Sequence, residues 1–183
     1  MKKSMPWIRC AGFLVGLAVI LGICDFCFAP SGYVRFILHE VNRKDTQYDT
    51  IILGASHARS AINPEYLDEE LGTNTLNLAI PGETVKDAYY LLKDACESND
   101  VKTVIMDVDY QYWMDEQPQG YFTEPFICQN ITNLKVKTEY LLDNWDTIDL
   151  RNVLVRRLSW DCTWSSVKQN VSTKMTEAYR EYS

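Results

Sequence analysis

Basic clusters are the first thing this sequence lacks. Its 183 residues hold 18 Lys and Arg against 25 Asp and Glu, a formal charge of −7. No stretch of the body is basic enough to track a phosphate backbone, so nucleic acid is not an expected partner. Metal-type cysteine spacing is equally scarce. The one C-x-x-C outside the body, Cys24-Asp25-Phe26-Cys27, ends an apolar segment without companion ligands, and no metal centre is expected. A Gly-rich phosphate loop is also missing: Gly54-Ala55-Ser56-His57-Ala58-Arg59 holds one glycine and is expected to leave its strand with no immediate helix. No cofactor is therefore expected, and Arg59 reads as a loop cation. There is no internal repeat and no low-complexity segment. Histidine is limited to His39 and His57, which leaves few candidates for a general base.

Apolar residues are plentiful. They make up 46% of the chain and aromatics 12%, enough for one ordinary core plus an appendage. The appendage is at the amino end, where residues 11–24 carry no charge and flanking apolar residues bring the zone near the roughly 20 residues that span a bilayer. Lys2, Lys3 and Arg9 precede it. The positive-inside bias then keeps the amino end cytoplasmic and places the rest outside, making the membrane a partner. An uncleaved anchor is expected, because Cys27-Phe28-Ala29 imitates a small-x-small cleavage site poorly; a cleaved signal peptide is the alternative. Cys96, Cys128 and Cys162 remain for the body and read as small buried hydrophobes.

Residues 1–29 thus form the cytoplasmic start and anchor, and 30–48 a mixed charged and aromatic stalk. In the stalk, Tyr33, Phe36, Ile37 and Val41 have the spacing of a short helix, and His39 reads as structural. The short apolar run Thr50-Ile51-Ile52-Leu53 stops at Gly54 like a buried strand, and residues 64–71 follow with helical spacing up to Gly72. Residues 75–80 give a second strand. Thr84 then caps a helix to residue 98, with Asp87 in a capping-box position and Val85, Ala88, Tyr89, Leu92, Ala95 and Cys96 on one face. Residues 101–108 (VKTVIMDV) give a third strand. Alternating strands and helices predict a parallel α/β sheet, and right-handed crossovers predict the strand order 2-1-3 of a flavodoxin-like beginning. Residues 49–132 form this part. Residues 133–183 recur at helical spacing, with Trp160 and Trp164 read as core and Arg156, Arg157 and Lys168 as solvated.

In open parallel sheets ligands bind at the carboxyl ends of the strands beside the switch point, where Ser56 lies. A serine needs a base and oxyanion donors to react. Gly54-Ala55-Ser56 and Pro81-Gly82 bring backbone N–H groups to that edge, and Asp107 and Asp109 arrive there from strand 3. His57 adjoins Ser56, but neighbours on a tight turn point different ways, so His57 reads as a partly exposed loop residue lining the site rather than its base.

Gly54-Ala55-Ser56-His57, then Asn77-Leu78-Ala79-Ile80-Pro81-Gly82, then VKTVIMDVDY resemble the first three blocks of the SGNH/GDSL hydrolases, in a membrane-anchored bacterial branch with a G-x-S-H first block. The resemblance covers residues 50–113. It implies a three-layer SGNH-type sandwich, Ser56 as nucleophile, and the N–H groups of Ser56 and Gly82 as oxyanion donors. The implied activity is ester hydrolysis or O-acyl transfer on an acylated carbohydrate or envelope polymer. Two departures stand out: the family's asparagine after strand 3 is replaced by Asp107-Val108-Asp109-Tyr110, and no histidine follows His57 to form a D-x-x-H block. A truncated, incomplete sandwich is therefore expected. The alternative is a non-catalytic membrane-tethered module that binds an envelope polymer or a partner protein.

Overall fold

A computed structural model describes residues 6–29, 31–108, 123–148 and 162–176. These fall into two compact units, the first holding the described residues up to Ser31 together with 162–176, the second holding 32–108 and 123–148.

In the first unit, α1 runs over Pro6–Phe28. At 1.5 Å per residue its length is about 35 Å, matching the roughly 30 Å of a bilayer's hydrocarbon core. Its apolar side chains, Phe13, Leu14, Val15 and Ile23 among them, are exposed. Among the described residues it is the one helix long and apolar enough to cross a membrane, although a signal sequence has the same character. The last carbonyls of a helix have no intrahelical donor, and α1 has no basic residue in its last turn. The helix α8 (Trp164–Thr176) provides donors instead. Lys174 Nζ donates to the carbonyls of Phe26 (2.6 Å) and Ala29 (2.5 Å), and Asn170 Oδ1 accepts from Ser31 N–H at 3.1 Å. Trp164, expected in a core, is 82% exposed, and the buried position of this helix among its described side chains is Asn170, which bonds to Ser31. Lys168 is solvated as expected, and Trp160, Arg156 and Arg157 lie outside the described residues.

The second unit contains a three-stranded parallel sheet in the order β2-β1-β3, with β1 at Thr50–Leu53, β2 at Thr75–Asn77 and β3 at Thr103–Met106. The strand order expected from the sequence is observed. All four residues of β1 are buried, which is why this strand reads as an unbroken apolar run. Side chains alternate across the sheet. Ile51 and Leu53 enter the large core with α2 (Tyr33–Glu40), α5 (Val85–Ser98), α6 (Thr123–Asn130) and α7 (Leu134–Asp143). Ile52 enters a smaller cluster with Ala58 and Ala79, beside α3 (Ser56–Ala61) and α4 (Pro64–Leu71).

Local signals fix the element ends. Asn63 caps α4 by accepting from Glu65 N–H at 3.0 Å, Pro64 takes the first turn, and Gly72 ends the helix with φ +67°. Thr84 and Asp87 form the anticipated capping box.

Three expectations change. The 30–48 stretch is no stalk, because Ile37, Leu38 and Val41 are fully buried in the large core. Of the body cysteines only Cys128 is buried, while Cys96 and Cys162 are exposed. The buried face of α5 is also turned from the expected one: Tyr89 and Cys96 face solvent, while Asp87 and Asp94 are buried beside Ala88, Leu91 and Ala95. Partners explain it. Asp87 accepts from Tyr140 Oη (2.6 Å) and Thr84 N–H (2.8 Å), and Asp94 from Asn42 Nδ2 (2.8 Å) and Asn133 N–H (3.2 Å).

Burial raises the Asp87 carboxyl above its ordinary value of 3.8, against the opposing effect of its bonds to Tyr140 and Thr84. A raised folded value means the native state holds the proton more tightly than the unfolded chain. The stabilisation is greatest below the unfolded value, about 3.9, and is lost as pH rises through the folded value. In urea unfolding, the stability of wild type relative to Asp87→Asn is therefore expected to fall as pH increases from about 4. A relative stability constant with pH, or rising with it, contradicts this assignment.

Candidate functional site

The site begins where β1 stops. Gly54 has φ +150°, and a Cβ on it would sit 2.5 Å from Asp107 Cβ and 2.8 Å from Ala58 Cβ. Only glycine lets the third strand and the start of α3 approach so closely. The strand ends remain joined past the ladder: Asp107 N–H donates to Leu53 C=O at 3.0 Å and Ile80 N–H to Gly54 C=O at 3.1 Å. The chain then enters α3 after Ala55, which corrects the expectation of no immediate helix. Ser56 and His57 occupy its first turn and are both exposed. Successive residues on a helix point about 100° apart, so His57 does not face the Ser56 hydroxyl. Among the described residues, Ser56 Oγ has no hydrogen-bond partner.

Residues 80–83 form the second component. Glu83 N–H donates to Ile80 C=O at 3.0 Å, with Pro81 second in the turn and Gly82 third at φ +77°, the arrangement of a type II turn. Glu83 itself is 3% exposed. Its Oε1 accepts from Gly54 N–H (3.1 Å) and its Oε2 from Ile80 N–H (2.9 Å). One buried carboxylate thus ties the end of β1, two residues before Ser56, to the turn carrying Gly82. The sequence reading missed Glu83; an acid placed directly after Pro-Gly at a strand end is the signal that was there.

Asn77, which the sequence shows only as part of the Asn77–Gly82 stretch, makes the third connection. Its Nδ2 donates to the carbonyls of Ala58 (3.0 Å) and Ile62 (3.1 Å), and its Oδ1 accepts from Ala79 N–H at 3.2 Å. The end of α3 is thereby fastened to β2. The Asn77 carbonyl accepts from Tyr33 Oη at 2.9 Å. Burial pushes the Tyr33 hydroxyl up to about 12, with Arg59 pulling it down and Glu83 pushing it up; it is a permanent donor at neutral pH. The Arg59 guanidinium lies over the Tyr33 ring, 3.8 Å from its centroid.

Of the expected site residues, Ser56, His57, Gly82 and Asp107 therefore belong to adjoining segments at the carboxyl edge of the sheet. Asp109 lies outside the described residues. His39 is exposed on α2. Among the described residues no group of three or more His, Cys, Asp or Glu side chains is arranged to hold a metal ion. Comparison with known proteins finds no matching family model, no similar curated protein and no similar solved structure.

Proposed function

We propose that this chain is a membrane-anchored, SGNH-like ester hydrolase or O-acyltransferase of the cell envelope, built on a flavodoxin-like α/β unit. The observation that supports this most directly is the Glu83 bridge, which joins the Ser56 segment to the Gly82 turn beside the β1/β3 switch point. In this reading Ser56 Oγ attacks the carbonyl carbon of an acylated carbohydrate or envelope polymer. The N–H groups of Ser56 and Gly82 receive the developing oxyanion, the alkoxide leaves with a proton, and an acyl-Ser56 remains for water or a second hydroxyl. The proton that Ser56 gives up is the one the leaving alkoxide carries away, and His57, given the orientation of the first turn, does not relay it. Asp107 lines the same edge. Lys2 and Lys3 before α1, and Arg9 in its first turn, support a cytoplasmic amino end and an extracytoplasmic α/β unit.

A non-catalytic, membrane-tethered binding module is the second reading. It is favoured by the lack of a hydrogen-bond partner on Ser56 Oγ among the described residues. Labelling the full chain with an uncharged fluorophosphonate separates the two. The catalytic reading expects an adduct on Ser56 that disappears in Ser56→Ala; no adduct, or equal labelling of the variant, leaves the binding module.

A further inference from the structure

An arginine held rigidly beside the reacting residue points to the charge of what binds there. Arg59 follows Ser56 by three positions on α3, so their side chains leave the same side of the helix, with Cβ atoms about 5–6 Å apart. Its guanidinium is stacked on Tyr33, whose own hydroxyl is anchored on the Asn77 carbonyl. Such stacking orients the guanidinium plane but leaves its N–H fork open, since the ring contacts a face and not the edge.

Among the described residues no carboxylate lies within ion-pair distance of Arg59. That is unusual in a chain with a formal charge of −7. The acid nearby, Glu83, is buried with both oxygens on backbone N–H groups, so its charge is already compensated by dipoles. Arg59 is half-buried, where attraction to an anion is screened less than at the open surface.

We propose that Arg59 is a specificity residue of the Ser56 site and pairs through its guanidinium edge with a carboxylate or phosphate group carried by the substrate. The inference rests on Ser56 marking the reacting position, and it narrows the substrate from any acylated polymer to an anionic one.

The test titrates the full chain, in neutral-detergent micelles, with inorganic phosphate and separately with succinate, following the backbone amide NMR signals of residues 56–60, which wild type and the Arg59 variants share. A saturable shift is expected. Affinity should drop by roughly tenfold or more in Arg59→Gln, and by less in Arg59→Lys, which keeps the charge but not the planar fork. Saturation by phosphate alone assigns a phosphate group, and saturation by succinate alone a carboxylate. Bound anion should also slow fluorophosphonate reaction at Ser56 in wild type and not in Arg59→Gln. Shifts that never saturate, or affinity unchanged in folded Arg59→Gln and Arg59→Lys, overturn the proposal. A Ser56 adduct without saturable anion binding removes the role of Arg59 and keeps the catalytic reading. Saturable binding without an adduct removes catalysis and keeps Arg59 as the anion contact of a binding module.

Discussion

Gly54→Ala is expected to destabilise the α/β unit by about 2–6 kcal/mol, from positive-φ strain of about 1–3 kcal/mol together with overpacking of similar size. The strain arises because φ +150° is a conformation that side chains with a Cβ rarely adopt. The overpacking arises because the new methyl would overlap Asp107 Cβ at 2.5 Å and Ala58 Cβ at 2.8 Å. Neither neighbour can withdraw easily: Asp107 N–H is bonded to Leu53 C=O, and Ala58 C=O to Asn77 Nδ2. Gly72→Ala is the matched control, with φ +67° but open space around its Cβ, and should cost about 1–2 kcal/mol. Urea unfolding of the full chain measures both, as a lowered midpoint at unchanged slope. A Gly54→Ala cost no greater than that of Gly72→Ala would refute the close approach. Since a domain is stable by only about 5–15 kcal/mol in total, the larger cost places Gly54→Ala near the threshold of folding.

Glu83→Ala is the second large effect, with an expected loss of about 2–4 kcal/mol for two hydrogen bonds to a charged, buried acceptor. The N–H of Gly54 loses its carboxylate partner, whereas Ile80 N–H keeps the Gly54 carbonyl. The damage should therefore concentrate on Gly54. Amide exchange there is expected to accelerate more than at Ile80, and more than at the β1 residues before it. Glu83→Gln should recover only part of the loss, because its one carbonyl oxygen serves one N–H while its amide group turns a donor toward the other. Unchanged stability together with unchanged Gly54 exchange would show that the bridge does not hold the two segments. Labelling of Ser56 in Glu83→Gln, if reduced while the fold persists, ties the bridge to the geometry of the site.

Several elements could be read before any coordinates. Residues 50–53 form a strand because an apolar, β-branched run ends at glycine, and 64–71 a helix because apolar residues recur at helical spacing until Gly72 closes it. The switch-point position of Ser56 followed from strand order alone. What was misread shares one cause. Apolarity alone places Tyr89 and Cys96 in the core of α5, yet Asp87 and Asp94 are buried there with Ala88, Leu91 and Ala95 while Tyr89 and Cys96 are exposed. An aspartate looks like a surface residue until Tyr140, Asn42 and Asn133, up to 53 positions away, are brought against it. The 30–48 segment failed likewise: the apolar residues of α2 do not by themselves reveal their partners, which come from the sheet and distant helices.

The sequence by itself determined the apolar helix near the amino end, the alternation of strands and helices, the order β2-β1-β3, the stops at Gly54 and Gly72, and the Thr84–Asp87 capping box. The strand order follows from the right-handedness of crossovers; the rest depends on residues within a few positions of one another, where periodicity, φ preference and local hydrogen bonding act. Tertiary structure alone decided that Glu83 bridges Gly54 and Ile80, that Asn77 fastens α3, and that Arg59 lies on Tyr33 beside Ser56. Each of those contacts joins segments separated along the chain. The physical reason is that a buried polar group is defined by the partner that compensates its desolvation, and that partner exists only once the chain has folded.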